Sequence, residues 1–296
     1  MSDRLYLPAV PFNLEAVVKT HGWFQLAPFY WQEREKTLCW VMRPAAKVRC
    51  ISLRQADRRS VKMSCPGLSE REWRAVIVKF HHVFNLGLDL SPFYRLCAAD
   101  PFLRPLRQRG LGRIQRSESV YEDVFKSICG TNTLWKQAVR MVGAVAELGD
   151  LAPSGPFRAF PAPEVVLKAG KRYLIDKGRV GYRADSLIAL CERMVQGDTE
   201  AERVQNGEVR GPELLTFFAG YRGIGKITAR YLAALYGYFG ELAVDSAVIA
   251  YMAKTHFGGR RPTEKEVQDH YARFGEWRYL AYWMEFVLNR GWVPEV

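Results

Sequence analysis

The stretch that most narrows the fold is 213–254, ELLTFFAGYRGIGKITARYLAALYGYFGELAVDSAVIAYMAK. Leu214, Leu215, Phe217 and Phe218 give its first part an apolar helical face. Thr228, Ala229, Tyr231, Leu232, Ala234 and Leu235 resume that spacing after the turn Gly220-Tyr221-Arg222-Gly223-Ile224-Gly225. Glycines accept positive φ and let another backbone come close, so two helices can join through a very tight turn. Gly223 and Gly225 leave N–H groups bare at a helix N-terminus, a ready anion site, and Lys226 and Arg230 add positive charge beside it. The loop 240–244 then delivers Asp245, placed to cap a third helix over 246–254.

Gly220 to Lys226 also spells G-x-x-x-x-G-K, the start of a phosphate-binding P-loop. That motif needs Ser or Thr next to hold Mg²⁺, and Ile227 stands there. Too few strand-like segments follow residue 100 to supply alternating βα units. Composition points to a polyanionic partner instead. The 296 residues hold 43 Lys and Arg against 31 Asp and Glu, for a net charge of +12 and a pI near 9.5. The basic residues lie among aromatics and not in a tail, which predicts a folded basic surface suited to nucleic acid or an acidic membrane. Cys39, Cys50, Cys65, Cys97, Cys129 and Cys191 form no C-x-x-C pair, and no histidine stands at ligand spacing from them. No metal site and no disulfide framework is expected, and a reducing compartment fits. With no signal peptide and no apolar run of 18 residues, a soluble intracellular protein is expected: cytoplasmic and nucleoid-associated in a bacterium, nuclear in a eukaryote.

Along the chain, strands are expected at 22–31, 37–43, 47–53 and 61–65, with a helix at 14–20. Ser69 opens a helix carrying Trp73, Phe80, Val83 and Phe84. From about Leu90 the pattern is helical. Ser119 and Glu122 have capping-box spacing, and helices follow at 134–148, from Pro163 to a stop near Gly170, and up to Met194. The polar segment 196–210 reads as a mobile surface insertion, and 264–287 as one helix crowded with aromatics. The fold class is α+β, mostly α: an N-terminal antiparallel sheet over 1–88, then a helical body over 89–296.

The run G-I-G-K-I-T-A, followed by Asp245 eighteen positions after Ile227, resembles the helix–hairpin–helix DNA glycosylase superfamily. LDLSPFYRLCAADPF at 88–102, SICGTN at 127–132, VGYR at 180–183 and the order of parts extend the resemblance, within the branch of 3-methyladenine and 8-oxoguanine glycosylases. The resemblance implies that the partner is double-stranded DNA containing a damaged base, that the protein acts as a monomer, and that it binds no membrane. The hairpin N–H groups of Gly223 and Gly225, with Lys226, would hold phosphate, and a monovalent cation between hairpin and phosphate is the one cofactor implied. Some relatives carry an iron–sulfur cluster on C-terminal cysteines, and no cysteine follows Cys191 here.

Tyr182 resembles the wedge that fills the gap left by a flipped base, Arg183 a contact to the orphaned partner base, and Asn132 a residue entering from the opposite side. Tyr231, one helical turn after Ile227, resembles a tyrosine that stacks on the flipped base. Gly22 resembles a glycine whose carbonyl reads the damaged purine, and Trp23 is expected to line the pocket. Asp245 would stabilise the oxocarbenium-like sugar and orient water. Bifunctional members place a nucleophilic lysine where Ile227 stands, so a monofunctional glycosylase without lyase activity is expected, with cationic alkylated purines favoured by an apolar, aromatic pocket. The alternatives are an 8-oxoguanine or deaminated-base glycosylase on the same scaffold, or a non-catalytic DNA-structure-binding protein.

Overall fold

The computed structural model describes residues 3–10, 12–153 and 155–290. Near the N-terminus lie β1 (Asp3–Tyr6), α1 (Leu14–Thr20), β2 (Phe29–Gln32), β3 (Thr37–Met42), β4 (Arg49–Gln55), β5 (Val61–Ser64) and α2 (Glu70–Val83). The strands form one antiparallel sheet in the order β1-β5-β4-β3-β2. Alternation along β3 sends Leu38, Trp40 and Met42 to a core shared with α1 and α2, while Cys39 and Val41 meet Ala152, Phe157 and Ala159 on the other face. Covering both faces explains why β3 is apolar throughout instead of alternating with polar residues. The edge strand β1 went unread because four residues, DRLY, offer little pattern. The expected strand at 22–31 begins only at Phe29. A 3₁₀ turn, Gly22–Gln25, and Pro28, which has no N–H for a ladder, take its first part.

The helical body comprises α3 (Ser91–Cys97), α4 (Val120–Gly130), α5 (Trp135–Ala146), α6 (Pro163–Asp176), α7 (Ala184–Val195), α8 (Thr199–Gln205), α9 (Glu213–Ala219), α10 (Lys226–Leu235), α11 (Ser246–Thr255), α12 (Glu264–His270) and α13 (Arg278–Asn289). Ser69 and Glu72 make a full capping box at α2. At α4 only half of the expected box forms: Ser119 accepts from the Glu122 N–H, while the Glu122 carboxylate turns to Lys126 at 3.1 Å. Gly170 kinks α6 (φ 77°) without ending it. The expected single helix over 264–287 breaks at 3₁₀ turn Ala272–Trp277, where Gly275 has φ 55°.

The segment 196–210 is not a mobile insertion. It contains α8, whose Ala201 and Val204, with Val209, enter the main core. Asp198 caps α8 and also takes the Tyr221 hydroxyl at 2.7 Å, tying this segment to the glycine turn. That main core draws on α3 through α13 and also takes Ala16, Trp23 and Leu26 from the N-terminal part. Those three residues carry the 3₁₀ turn Gly22–Gln25 into the helical body.

Candidate active site and nucleic-acid interface

The glycine turn joins α9 to α10 as the spacing predicts. Gly223 has φ 89°, and a Cβ there would lie 2.7 Å from Ser186 Oγ, so both conformation and packing call for glycine. Gly225 differs. It is the N-cap of α10 with φ −90° and ψ 176°, and a Cβ would meet nothing within 4 Å. No side chain caps α10, so its first N–H groups face outward. Lys226 is exposed, 3.9 Å from Glu264. Arg230 does not add charge to this surface: it is buried, and its guanidinium pairs with Glu241 at 2.7 Å and Glu264 at 2.5 Å. A cavity of about 570 Å³ lies along the hairpin, lined by Thr216, Ala219, Gly220, Lys226, Arg230 and Glu241. None of the aromatic residues expected at the base pocket lines it.

Asp245 caps α11, its Oδ1 accepting the Val248 N–H at 2.8 Å, and its side chain is exposed. A cap of this kind stabilises a helix by about 1 kcal/mol. The approach is fixed by Gln268 of α12, whose amide accepts from Leu242 N and donates to Leu242 O, both at 3.1 Å. Tyr279 and Tyr282 of α13 stand close enough to feel the Asp245 charge. Burial first, and then that carboxylate, pushes the Tyr279 phenol well above its ordinary pKa. Burial, Tyr279 and Asp245 act likewise on Tyr282.

From Tyr279 a continuous run of rings leads to the 3₁₀ turn. Tyr279 stacks on Trp283 (6.3 Å, 10°), Trp283 meets His21 edge-on (5.9 Å), and His21 stacks on Tyr231 (5.7 Å) with a 2.6 Å bond between Nε2 and the hydroxyl. Trp23 closes on Tyr231 at 6.0 Å and donates its Nε1–H to Asp123 at 2.9 Å. Burial, then the Lys126 charge, holds His21 down to about 3 against an opposing bond to the Gln115 carbonyl, so the imidazole is neutral. Burial likewise keeps Tyr231 a phenol. Tyr231 thus joins the ring cluster, and Ile227, one turn earlier on α10, is 43% exposed.

Gly22 and Trp23 occupy an unexpected setting. Trp135, at the start of α5, lies over both: a Cβ on Gly22 would come within 2.5 Å of its ring, and it stacks on Trp23 at 6.4 Å. Its Nε1–H donates to Gln25 at 2.9 Å. Trp23 is therefore only 1% exposed and does not itself face solvent as a pocket wall.

On the adjoining surface, Tyr182 is 68% exposed on the 3₁₀ turn Gly181–Arg183, and Asn132 (φ 46°) is exposed at the end of α4. Arg183 corrects the expectation of a base contact. It is 8% exposed and donates to the carbonyls of Thr131, Val180 (3.3 Å) and Asn132 (3.4 Å), with its guanidinium 4.6 Å from the Tyr182 ring. It ties the two loops together from behind. Leu134, 77% exposed beside Asn132, was missed because an isolated leucine before a helix gives no sequence signal. His21, Trp135, Trp283, Gln268 and Asp123 were missed because their roles depend on contacts across long sequence separations.

The fold is that of the helix–hairpin–helix DNA glycosylases, with the hairpin, the aspartate cap and the ring cluster in one connected region. It is similar to the 3-methyladenine DNA glycosylase from Archaeoglobus fulgidus, at 20% identity over 98% of this chain and 100% of that one, with a TM-score of 0.78. It is also similar to the Clostridium acetobutylicum 8-oxoguanine glycosylase/lyase in its apo form, at 16% identity over 99% of this chain and 97% of that one, with a TM-score of 0.74. In sequence, the chain is 24% identical over 222 residues to the DNA-3-methyladenine glycosylase of Bacillus subtilis (strain 168), covering 71% of each. No protein-family model matches.

Proposed function

We propose that the chain is a monofunctional DNA glycosylase that flips a damaged purine out of duplex DNA, alkylated purines before others, and hydrolyses its N-glycosidic bond with Asp245. The observation that carries this reading is the exposed Asp245 carboxylate, fixed at a helix cap after a loop clamped by Gln268, and close enough for its charge to act on Tyr279 and Tyr282 of the aromatic cluster. As the purine departs, the sugar gains positive charge. A carboxylate held near C1′ stabilises that charge and orients water. Ile227 has no amine with which to attack C1′, so the product is an abasic strand left uncut. A cationic alkylated purine is a good leaving group and is drawn to aromatic faces such as Tyr231, Trp283 and Trp135. His21 is neutral and does not repel it.

The hairpin N–H groups at Gly223 and Gly225 and the Lys226 ammonium would hold the backbone. A monovalent cation would be held by backbone carbonyls there, because the turn 220–225 contains no carboxylate. Tyr182, with Leu134 and Asn132 across from it, would fill the vacated stack. Names among the similar proteins support both 3-methyladenine and 8-oxoguanine as lesion classes. The neutral, apolar setting favours the first.

A panel of lesion-containing duplexes incubated with the full chain tests this. Free alkylated purine, with strand scission only after alkali and little borohydride trapping, is expected. Alkali-independent cleavage with strong trapping overturns the monofunctional assignment, and release of oxidised purine alone overturns the substrate.

A further inference from the structure

At the opposite end of α11 from Asp245, three potential metal ligands converge from three helices. His256 is the C-cap of α11, His270 the last residue of α12, and Glu285 lies on the inner face of α13. One ligand atom from each lies within 4.8 Å of the other two. We propose that His256, His270 and Glu285 form a binding site for a divalent transition-metal ion of the Zn²⁺ type, locking the end of the helix that begins at Asp245. The proposal is independent of the glycosylase reading.

Ligand chemistry, burial and support all favour it. Two imidazoles and a carboxylate are ordinary Zn²⁺ donors, with bonds of about 2.0–2.2 Å. Tetrahedral donors at such lengths sit about 3.3 Å apart, so the present 2.5 Å between His256 Nε2 and Glu285 Oε1 widens by about 0.8 Å, and donors now up to 4.8 Å apart close in by up to about 1.5 Å. His256 stands at a helix end with its ring against His270 and its Nε2 on Glu285, so it already faces the other two ligands. Glu285 is buried, and a buried carboxylate needs a positive partner. Tyr251 supplies a supporting bond, its hydroxyl donating to Glu285 Oε1 at 2.8 Å while accepting from Asn289 at 2.6 Å. The imidazole rings are 4.2 Å apart, so two protonated rings would repel, whereas one dication satisfies both and the carboxylate. The nearby Arg273 is paired with Asp100 at 2.8 Å.

The test uses the full chain, stripped with a chelator and titrated with Zn²⁺ alone against a chromogenic competitor. About one Zn²⁺ per chain and a rise in Tm are expected. His256→Gln and His270→Gln should each weaken binding at least about tenfold, because each removes one of three protein ligands. Glutamine at 256 can still hydrogen-bond Glu285, and a melting curve without metal on each variant separates lost metal binding from lost fold. Co²⁺ substitution should give ligand-field bands without a thiolate charge-transfer band. Binding well below one equivalent, unchanged affinity in the double variant, or a thiolate band overturns the proposal, leaving a His256–Glu285 ion pair.

Discussion

Asp245 serves two roles that a single atom change separates. Its Oδ1 caps α11 through Val248 N, and its charge faces Tyr279 and Tyr282. Asparagine caps a helix about as well as aspartate but carries no charge. Asp245→Asn is therefore expected to keep its Tm within a few degrees and to keep binding damaged duplex, while base release falls about 10²–10³-fold or more. Single-turnover release of free base, read beside a melting curve, checks this, and full release by the variant removes Asp245 from catalysis. Arg183 gives the opposite kind of case. Its type and its place after Tyr182 suggested a hand on the partner base, yet its guanidinium is spent on carbonyls of Thr131, Asn132 and Val180. Arg183→Met should lower Tm and loosen both loops, whereas Tyr182→Ala, at an exposed ring, should leave Tm unchanged and impair lesion engagement alone. The fate of an arginine depends on whether carbonyls of another loop reach it, and one-dimensional spacing does not encode that.

At the scale of elements, the parts of the fold governed by local rules were legible. Helical periodicity marked α9 and α10, glycine their turn, Ser69–Glu72 the start of α2, and strand-length apolar or alternating runs β3 to β5. What stayed hidden depends on partners distant in sequence. The segment 196–210 looks mobile until Val204 and Val209 are seen in the core and Asp198 on Tyr221. That Gly22 must be glycine shows only once Trp135, more than a hundred positions on, is found lying where a Cβ would stand. Of the candidate site's geometry, the Asp245 cap and the hairpin turn follow local rules, whereas the contacts of His21 and Trp283 and the Gln268 clamp do not. The hairpin glycines also separate once their surroundings are known. Gly223→Ala forces a Cβ into Ser186 at φ 89° and should destabilise the fold by about 1–3 kcal/mol, as strained positive-φ positions do. Gly225→Ala meets open space at an ordinary φ and should be nearly neutral for stability. Gly225→Asp should fold equally well yet weaken binding to damaged and undamaged duplex alike, by setting a carboxylate against phosphate. Urea melts of the three variants with fluorescence-anisotropy titrations check the set, and unchanged duplex affinity in folded Gly225→Asp takes the hairpin out of the interface.

The whole molecule responds to pH and to salt through different groups. His21 is fully buried with its pKa held at about 3, below the value of about 6.5 it regains on unfolding. The unfolded chain then takes up a proton that the folded chain refuses. The stability this group contributes is complete above about pH 6.5 and is lost as pH falls toward 3, at up to about 1.4 kcal/mol per pH unit. His21→Gln, weaker at pH 7 through lost ring contacts, should lose less stability than the parent between pH 6.5 and 5, and parallel denaturation profiles would instead place a charged His21 in the fold. Salt acts on the surface. A net charge of +12 persists whatever ion pairs form within the fold, and no side chain caps the first N–H groups of α10. A polyanionic duplex binding such a surface releases condensed counterions, about 0.9 per phosphate neutralised. Contact with about six phosphates predicts a loss of roughly 10³ in affinity for undamaged duplex between 50 and 200 mM salt. Released base measured at saturating enzyme should change far less, because the proposed cleavage lies past the binding step. Anisotropy titrations across that salt range measure the slope directly. A flat response would mean that the positive surface does not meet the phosphate backbone, and the DNA-binding reading would fall with it.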